Sequence, residues 1–256
     1  FINMNDYKIC IPSYNRLDIL LSKTLPLLIR RHINKENIYI FVVEEEYNKY
    51  KEALPNLNII IGEKGCVNQR NFIRKYFNEG DYIISLDDDI ENIQYISFNE
   101  FYDIDNLEDF FKYNYEFMKD INVNIWGVYP VYNKLFMDKQ KEYISTGLNF
   151  LIGHLYGFIN RKDSYYDLDC NVMHDYENSL KHYLKDGRII RLNNVACKTK
   201  MYAKGGIGNK NDRYEDMEND VMFLMSKYPD MVVPKKKRDG MPHITLKKLP
   251  PIFFDL

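Results

Sequence analysis

Three consecutive aspartates, Asp87, Asp88 and Asp89, follow an apolar and β-branched run at residues 82–86. Adjacent carboxylates repel one another, and each loses hydration when it lies near the end of a buried strand. A divalent cation with its own anionic ligand would compensate this charge, because Mg²⁺ and Mn²⁺ prefer oxygen ligands. The triplet therefore predicts a metal site, with a solvated acidic turn as the alternative.

Other polar clusters also follow apolar runs, at residues 12–16 and 44–46. A helix that should begin near residue 68 would place three polar side chains at its N-terminus: Gln69, Arg70 and Asn71. Free backbone amides and a guanidinium both favour a phosphate there, although an ordinary exposed first turn would look the same. Ligands of open α/β sheets bind outside the carboxyl ends of the strands, so these clusters should converge. Together they predict a site for a metal-bound nucleotide diphosphate.

Alternating strands and helices in the first half of the chain predict a mostly parallel sheet covered on both faces. Strands are expected at residues 7–12, 38–43, 58–61 and 82–86. Helices are expected from Leu17, with a kink or restart at Pro26, and from Asn68. The second half is less regular, with helices expected at 107–119 and 175–185, a strand at 124–129 and an aromatic, Gly-rich run at 146–159. The predicted fold class is α/β, with a mixed, mostly parallel, Rossmann-like sheet flanked by helices in a single domain.

Composition narrows the class of protein. A chain of 256 residues with 45% hydrophobic residues can bury a core without disulfides or structural metals. The net charge of -2 excludes a strongly basic, histone-like protein. The four cysteines have no metal-binding spacing, which indicates buried thiols in a reducing compartment. No apolar run is long enough to span a membrane and the start lacks a signal-peptide pattern, so we expect a soluble protein that is not secreted and acts in the cytoplasm or, if viral, in the host cell interior or nucleus.

Several nucleotide-dependent activities lack their motifs. The Gly205-Gly206-Ile207-Gly208 segment is not followed by the Lys-Ser/Thr pair of a P-loop, and the dinucleotide fingerprint is absent. The triplet does not have the form found in aspartyl-phosphate phosphatases, and the Pro-Ser-Tyr-Asn-Arg loop is unlike the Gly-rich loop of nucleotidyltransferases. Glycosyl transfer fits best, because metal and diphosphate contacts stabilise the departing nucleotide while a sugar carbon is attacked.

These segments resemble a glycosyltransferase of the GT-A fold and, more narrowly, the TET/JBP-associated glycosyltransferases of phages and large DNA viruses. The residues that carry the likeness are Ile11–Arg16, Glu44–Glu46, Gly65 with Gln69–Phe72, Ser85–Asp89, Trp126–Val131, Thr146–Leu148, Asp175 and Lys198–Gly206. The resemblance covers nearly the whole chain. It implies a nucleotide-binding half at 1–95 and an acceptor-binding half at 96–256. It also implies transfer of a hexose, with glucose as the first candidate, from a UDP-sugar to 5-hydroxymethyluracil or 5-hydroxymethylcytosine in DNA.

The resemblance also implies residue roles on the donor side. Nucleotide-sugar contacts fall on Pro12, Ser13, Tyr14, Arg16, Glu44, Gln69, Arg70, Asp87 and Asp88. The Mn²⁺ or Mg²⁺ ligands would be Asp89 and Asp87. Tyr14 could instead be a plain turn aromatic, and an acidic helix start would resemble Glu44–Glu46.

An acceptor hydroxyl needs a base, because an alcohol is a poor nucleophile at neutral pH. Asp175 is the expected base. The family pattern has an acidic pair at this place, but the first member of the pair is His174 in this chain, and this histidine could itself take the proton. An acidic residue in the first turn of a helix is the structural alternative for Asp175. Attack from the side opposite the leaving group would invert the anomeric carbon, as the family implies.

Charge and aromatic residues bear on the acceptor. Residues 82–110 contain no lysine or arginine, whereas basic residues dominate 185–213 and the run Lys235-Lys236-Lys237-Arg238. Such asymmetry suits a protein that grips a polyanion, although Lys200, Tyr202 and the Gly206 loop could instead clamp the donor diphosphate. Three aromatics are weak candidates for stacking on an extruded base, namely Trp126, Tyr129 and Tyr156. His243 could be a late metal ligand or simply exposed.

Two other functions remain open at this point. A transferase of this fold could act on a glycan or protein hydroxyl, and DNA binding that weakens with salt would separate that activity from DNA modification. A catalytically silent binding module is the alternative of another class. The retained carboxylates and the Gln69-Arg70 pair argue against silence, and metal-dependent cleavage of a UDP-sugar would decide the question.

Overall fold

The computed structural model of the protein describes residues 7–199, 213–237 and 239–253. The strands of these residues are β1 (Tyr7–Pro12), β2 (Ile38–Val42), β3 (Asn58–Ile61), β4 (Tyr82–Leu86), β5 (Asn92–Ser97), β6 (Glu100–Asp103), β7 (Ile125–Val128), β8 (Ile144–Ser145), β9 (Leu155–Ile159), β10 (Ile190–Leu192), β11 (Val195–Lys198), β12 (Val232–Lys236) and β13 (Pro242–Leu246). The α-helices are α1 (Leu17–Ser22), α2 (Thr24–Arg30), α3 (Tyr47–Ala53), α4 (Cys66–Tyr76), α5 (Leu107–Asp120), α6 (Lys134–Met137), α7 (His174–Asp186) and α8 (Tyr214–Lys227). Short 3-10 helices lie at Lys35–Asn37, Glu44–Glu46 and Ser164–Tyr166.

The main sheet has eight strands in the order β3-β2-β1-β4-β9-β7-β10-β8. The first four are mutually parallel, and β9 runs antiparallel between β4 and β7. Because β10 is parallel to β7, the strands β1, β2, β4, β7 and β10 all end at the same edge. The sequence prediction of a mixed, mostly parallel sheet is confirmed, and this edge carries Asp87–Asp89.

Side chains that alternate along the strands build a hydrophobic cluster on each face of the sheet. Ile9 and Ile11 of β1 belong to one cluster with residues of α1, α2 and α5. Cys10, between them in sequence, belongs to the other with residues of α4, α7 and α8. This is the covering expected of near-continuous apolar strands, because successive side chains point to opposite faces.

Two helix boundaries differ from the sequence prediction. The kink or restart predicted at Pro26 is a restart, and the two helices meet at Lys23. Pro26 itself lies in the first turn of α2, where proline is tolerated. The helix predicted from Asn68 begins at Cys66, because Gly65 takes a positive φ of 98° and serves as its N-cap. Gln69, Arg70 and Asn71 therefore lie beyond the first turn, so the predicted free amides at these residues were wrong.

Two small sheets complete the structure. An antiparallel sheet of order β11-β5-β6 follows the aspartates, and the hairpin β12-β13 packs against α8. Gly187 ends α7 in a left-handed conformation with φ 71°. Among the described residues, no helix is both long and apolar enough to cross a membrane.

Candidate active site

Arg16 lies between two of the three aspartates. Its Nη1 atom is 3.0 Å from Oδ1 of Asp88, and its Nη2 atom is 2.6 Å from Oδ2 of Asp89. Asp88 is buried and also accepts a hydrogen bond of 2.7 Å from the Ser13 hydroxyl. Burial raises the pKa of Asp88 to about 6, although Ser13 and Arg16 oppose the shift. The protein thus supplies part of the positive charge that the sequence pattern had assigned to a metal ion.

Asp87 is less well compensated than its neighbours. Its carboxylate is half-buried and lies 3.4 Å from Nη2 of Arg70. Loss of hydration raises the pKa of Asp87 to about 8, and the charge of Arg70 opposes this only in part. Asp89 accepts a further hydrogen bond of 3.0 Å from the Thr199 hydroxyl. Asp87 therefore marks a local deficit of positive charge at the end of β4.

The donor set at this position suits a hard cation. Within the described residues, no group of three or more His, Cys, Asp and Glu side chains is arranged to hold a metal ion. Asp87 and Asp89 nevertheless offer oxygen ligands at the sheet edge, and Mg²⁺ sites commonly combine one or two carboxylates with substrate phosphates. A divalent cation would also remove the charge deficit at Asp87. The residues present therefore fit an ion that is shared with a diphosphate.

The loop after β1 has one exposed aromatic side chain. Tyr14 is 44% exposed, and the ammonium of Lys64 lies 5.8 Å from the centre of its ring. The backbone N–H of Asn15, which has a φ of 55°, donates to both carboxylate oxygens of Glu46. Glu46 rather than Glu44 therefore orders this loop, while Glu44 is exposed. The face of Tyr14 is available to a flat ring.

Two predicted nucleotide contacts are engaged inside the protein. The Ser13 hydroxyl is 2.8 Å from that of Tyr50 and donates to Asp88, so both polar groups are satisfied. Gln69 is buried, and its Oε1 accepts a hydrogen bond of 2.7 Å from the N–H of Glu63. These side chains fix the loops around the sheet edge and do not reach into solvent. Pro12, at the end of β1, is half-buried beside them.

Arg70 connects the two halves of the site. It is buried, and it donates to the Ser85 hydroxyl at 2.9 Å, the Tyr156 hydroxyl at 3.1 Å and the Gly153 carbonyl at 3.0 Å. Its Nε atom is buried without a protein partner. Tyr156, only 5% exposed, thus supports Arg70 and is not a free surface for a base.

Asp175 lies directly across Gly153 from Arg70. Its Oδ2 accepts a 3.0 Å hydrogen bond from the Gly153 N–H, and its Oδ1 is 3.1 Å from Nε2 of His174. Burial favours the neutral acid, but the charge and hydrogen bond of His174 lower the pKa of Asp175 to about 2. Burial also opposes protonation of His174, yet Cys66 and Asp175 raise its pKa well above the ordinary value. Of the two candidate bases, only Asp175 therefore has an ionised, proton-accepting form.

Two nearby side chains, Cys66 and His154, were not singled out by sequence reasoning. The Sγ atom of Cys66 is 3.8 Å from Nε2 of His174, and His174 and Arg70 lower the thiol pKa to about 6 against the effect of burial. His154 is buried at the start of β9, and burial lowers its pKa to about 4 despite the charges of Asp175 and Asp89. A neutral imidazole thus lies near both carboxylates. A single histidine beside an apolar strand carries no sequence signal for this role.

The remaining aromatic candidates differ in accessibility. Trp126 is fully buried against Phe110 and Phe111, so the structure does not present its ring to a base. Tyr129 is half-buried at the end of β7, where its hydroxyl accepts a 3.0 Å hydrogen bond from Gln140.

Sequence reasoning missed an aromatic pair that includes the residue after Asp175. The rings of Phe150 and Tyr176 stack at 4.2 Å, and the Tyr176 hydroxyl is 3.3 Å from Nε2 of His243. Both members of the pair are half-buried, and Tyr176 follows Asp175 directly in sequence. His243 therefore packs against an aromatic ring rather than a group of carboxylates. The predicted diphosphate clamp of Lys200, Tyr202 and Gly206 lies outside the described residues.

A large, mostly parallel sheet with carboxylates and an arginine at its carboxyl edge is the arrangement expected of the GT-A fold. The sequence model of the TET-Associated Glycosyltransferase family matches residues 7–206, and the chain belongs to this family of glycosyltransferases. A search of curated proteins finds no match.

One solved structure supports the fold. The chain resembles the mannosyltransferase PcManGT from Pyrobaculum calidifontis, solved with GDP-Man and Mn²⁺, with a TM-score of 0.57 and 15% identity over 88% of this chain. It spans 64% of that protein. A nucleotide-diphospho-sugar transferase from Desulfovibrio desulfuricans G20 is also similar, at a TM-score of 0.44 and 14% identity over 73% of this chain and 80% of that one. The likeness to PcManGT confirms the predicted GT-A fold, and the family match confirms the predicted enzyme class.

Proposed function

We propose that this glycosyltransferase moves a hexose, most simply glucose, from a UDP-sugar to the hydroxyl of a 5-hydroxymethylpyrimidine in DNA, with inversion at the anomeric carbon. The proposal depends on one observation: Arg70 and Gly153 together connect Asp87 and Asp175 by hydrogen bonds. Nη2 of Arg70 contacts both Oδ1 of Asp87 and the carbonyl of Gly153, whose N–H donates to Asp175. A donor held at Asp87 would therefore present its sugar towards Asp175.

The donor side follows from the open groups at the edge of the sheet. The exposed ring of Tyr14, with Lys64 above it, suits a uracil base, and Arg16 with Glu46 holds the loop that carries this tyrosine. Ser13, Gln69 and Asp88 would act through loop geometry, because their polar atoms are already bonded within the protein. The diphosphate would lie beyond Asp87, near the first turn of α4, whose N–H groups have no acceptor within the helix.

A divalent cation held by Asp89 and Asp87 would neutralise charge on the departing diphosphate. The Mn²⁺ in the mannosyltransferase of similar fold supports this assignment. The chain's own contribution is to keep both carboxylates fixed. Arg16 and Thr199 hold Asp89, and Arg70 orients Asp87.

Asp175 would accept the proton of the acceptor hydroxyl. Its side chain is 22% exposed, so an acceptor can reach it, and its low pKa keeps it ionised at neutral pH. The hydroxyl oxygen then bonds to the anomeric carbon, and the bond to the diphosphate oxygen breaks with its electron pair leaving on UDP. Tyr176, which follows Asp175 in α7 and stacks on Phe150, would be the aromatic surface for an extruded pyrimidine.

The decisive experiment incubates the protein and Mn²⁺ with a panel of UDP-sugars and DNA that contains 5-hydroxymethyluracil or 5-hydroxymethylcytosine. Mass spectrometry of the digested nucleosides would show a hexosyl adduct on one of these bases. DNA with unmodified thymine and cytosine is the matched control. Cleavage of a UDP-sugar without any adduct on DNA would reject the proposed acceptor and favour a glycan or protein hydroxyl.

A further inference from the structure

The C-terminal part of the chain contains a basic surface outside the matched family region. The family match ends at residue 206, and the described residues after it, 213–237 and 239–253, form α8 and the hairpin β12-β13. We refer to these residues as the C-terminal appendage. Residues 232–248 contain six lysines and arginines and one acidic residue, Asp239. Like charges on so small a surface repel one another, and a polyanion would reverse the sign of that interaction.

The pairing of the hairpin places several lysines on one face. Lys235 pairs with His243, and Val233 pairs with Thr245. Because every second side chain of a strand points to the same face, these four side chains share a face with the residues two positions beyond them, Lys237 and Lys247. Val232 and Ile244, on the other face, are buried in the cluster shared with α7 and α8. Lys235, Lys237 and Lys247 thus belong to the face with His243, and all three lysines are exposed. We call these three residues the lysine face.

His243 joins the lysine face to the proposed base. Its Nε2 is 3.3 Å from the hydroxyl of Tyr176, and the two rings meet edge to face at 5.7 Å. Tyr176 is the neighbour of Asp175 in the first turn of α7. Only one aromatic ring therefore separates the histidine of the lysine face from the turn that carries Asp175.

Further hydrogen bonds fix the C-terminal appendage to the same region. Asp220 of α8 is buried, and its carboxylate accepts from the backbone N–H groups of Asn171, Val172 and Met173, at 3.1, 2.7 and 2.8 Å, just before α7 begins. The carbonyl of Leu249 accepts a 2.9 Å hydrogen bond from the N–H of Leu148, in the segment that leads to Gly153. These hydrogen bonds hold the C-terminal appendage against the segments that lead to Gly153 and to α7.

We propose that the lysine face binds the phosphate backbone of duplex DNA and holds the strand while the target base reaches Asp175. This inference rests on the proposed function, which supplies the acceptor. Lysines recognise phosphates as point charges and need no base-specific geometry, so they would contribute affinity without sequence preference. A base can reach a carboxylate beside a helix end only when it leaves the duplex, and backbone contacts next to that base would hold the opened DNA.

The test compares two triple variants that remove equal charge. Lys235→Gln/Lys237→Gln/Lys247→Gln alters the lysine face, and Lys35→Gln/Lys49→Gln/Lys51→Gln alters exposed positions beside the other end of the main sheet. Fluorescence anisotropy with hydroxymethylated duplex DNA is measured over a series of salt concentrations. We expect the lysine-face variant to bind DNA about tenfold or more weakly. The slope of log binding constant against log salt concentration should fall in magnitude by about 1 for each phosphate that the lysines no longer neutralise. The control variant should show neither change.

A second readout separates backbone binding from chemistry. The KM for DNA should rise in the lysine-face variant about ten times more than the KM for the free hydroxymethyl nucleoside, which has no phosphate backbone. Equal KM values for DNA in the two triple variants, with glycosylation of DNA by the wild type intact, would refute DNA binding by the lysine face. The proposed function would not be affected by that result. DNA binding that depends on these lysines without any transfer to DNA would support the surface and reject the proposed acceptor. Loss of binding to phosphatidylserine vesicles with unchanged DNA binding would overturn the inference in favour of a membrane.

Discussion

Arg70 and Gly153 form the contact that joins the donor and acceptor sides of the site. The Nη2 atom of Arg70 is 3.0 Å from the Gly153 carbonyl oxygen, and the N–H of the same glycine donates to Asp175. Arg70 is buried, and a buried hydrogen bond to a charged group is strong. A buried charged group that loses its hydrogen-bond partner lowers the stability of the protein. The relative positions of Asp87 and Asp175 therefore depend on a glycine that no charge or motif marks as catalytic.

The lack of a side chain at Gly153 is itself a requirement. A Cβ atom there would lie 2.4 Å from Oδ1 of Asp175 and 2.9 Å from Nη2 of Arg70. We expect Gly153→Ala to displace both groups and lower kcat for sugar transfer by about a hundredfold, because small errors in the position of reacting groups are costly. Steady-state kinetics with UDP-sugar and the acceptor would measure this.

Gly127→Ala is the matched control for this substitution. A Cβ at Gly127 would meet only apolar atoms of Leu151, at 3.1 to 3.4 Å. It should lower the melting temperature while kcat changes much less than in Gly153→Ala. A Gly153→Ala enzyme with wild-type kcat would show that the contact between Arg70 and Gly153 does not position the reacting groups.

Removal of Arg16 should destabilise the protein in a pH-dependent manner. Arg16→Gln leaves Asp88 and Asp89 without their cation, and breaking a buried ion pair in this way costs about 3–5 kcal/mol. The pKa of Asp88, already raised to about 6 by burial despite Ser13 and Arg16, would rise further. Because the folded state then holds this proton more tightly than the unfolded state, stability falls as pH increases above the unfolded value.

The difference in melting temperature between wild type and Arg16→Gln should therefore be larger at pH 8 than at pH 5. Arg30→Gln removes an exposed arginine as the control. A difference that is the same at both pH values would mean that Arg16 contributes packing alone.

Asp89 provides the test of the metal proposal. Asp89→Ala should abolish the part of UDP affinity that depends on Mn²⁺, a decrease of about tenfold or more, since a metal ligand is removed. Asp105→Ala removes one carboxylate from the same acidic region, where the side chain is 95% exposed and only pairs with Arg31. Calorimetry of UDP binding with and without Mn²⁺ distinguishes them. Equal metal dependence in both variants would remove Asp89 from the proposed ligands.

The parts of this structure that depend on neighbours in sequence could be predicted. The apolar runs that become β1, β2, β3 and β4 are local signals, and so is the polar residue cluster that ends each of them. The parallel direction of these strands then followed from the helices between them, which is why the placement of Asp87–Asp89 at one sheet edge could be inferred.

Contacts between distant residues could not be predicted in the same way. Arg16 and Asp89 are 73 positions apart, and nothing in either segment indicates that an arginine rather than a metal faces the carboxylates. Which of three successive glutamates turns inward depends on the 3-10 helix at Glu44–Glu46, so the sequence did not show that Glu46 would hold the backbone of Asn15. Glu44 is exposed and remains a predicted nucleotide contact. The β12-β13 hairpin was missed because Pro234 and consecutive lysines hide the alternation of a strand.

His174 should control the pH range in which Asp175 can act as a base. Burial alone would raise the pKa of Asp175, and His174 outweighs burial to bring it to about 2. In His174→Gln the cation is removed, so the pKa of Asp175 should rise and the acid limb that this carboxylate contributes to the kcat profile should move to higher pH than in wild type. His32→Gln, at an exposed position, should leave the profile unchanged.

Asp175 itself provides the direct test of the base. Asp175→Asn should bind UDP normally and transfer sugar about 10²–10⁴ times more slowly, the usual contribution of a general base. UDP binding is measured by calorimetry and transfer by single-turnover kinetics, so that folding and donor binding are checked in the same variant. A near-wild-type rate in Asp175→Asn, or an unmoved acid limb in His174→Gln, would transfer the role of base to another group, for which the neutral imidazole of His154 is a candidate.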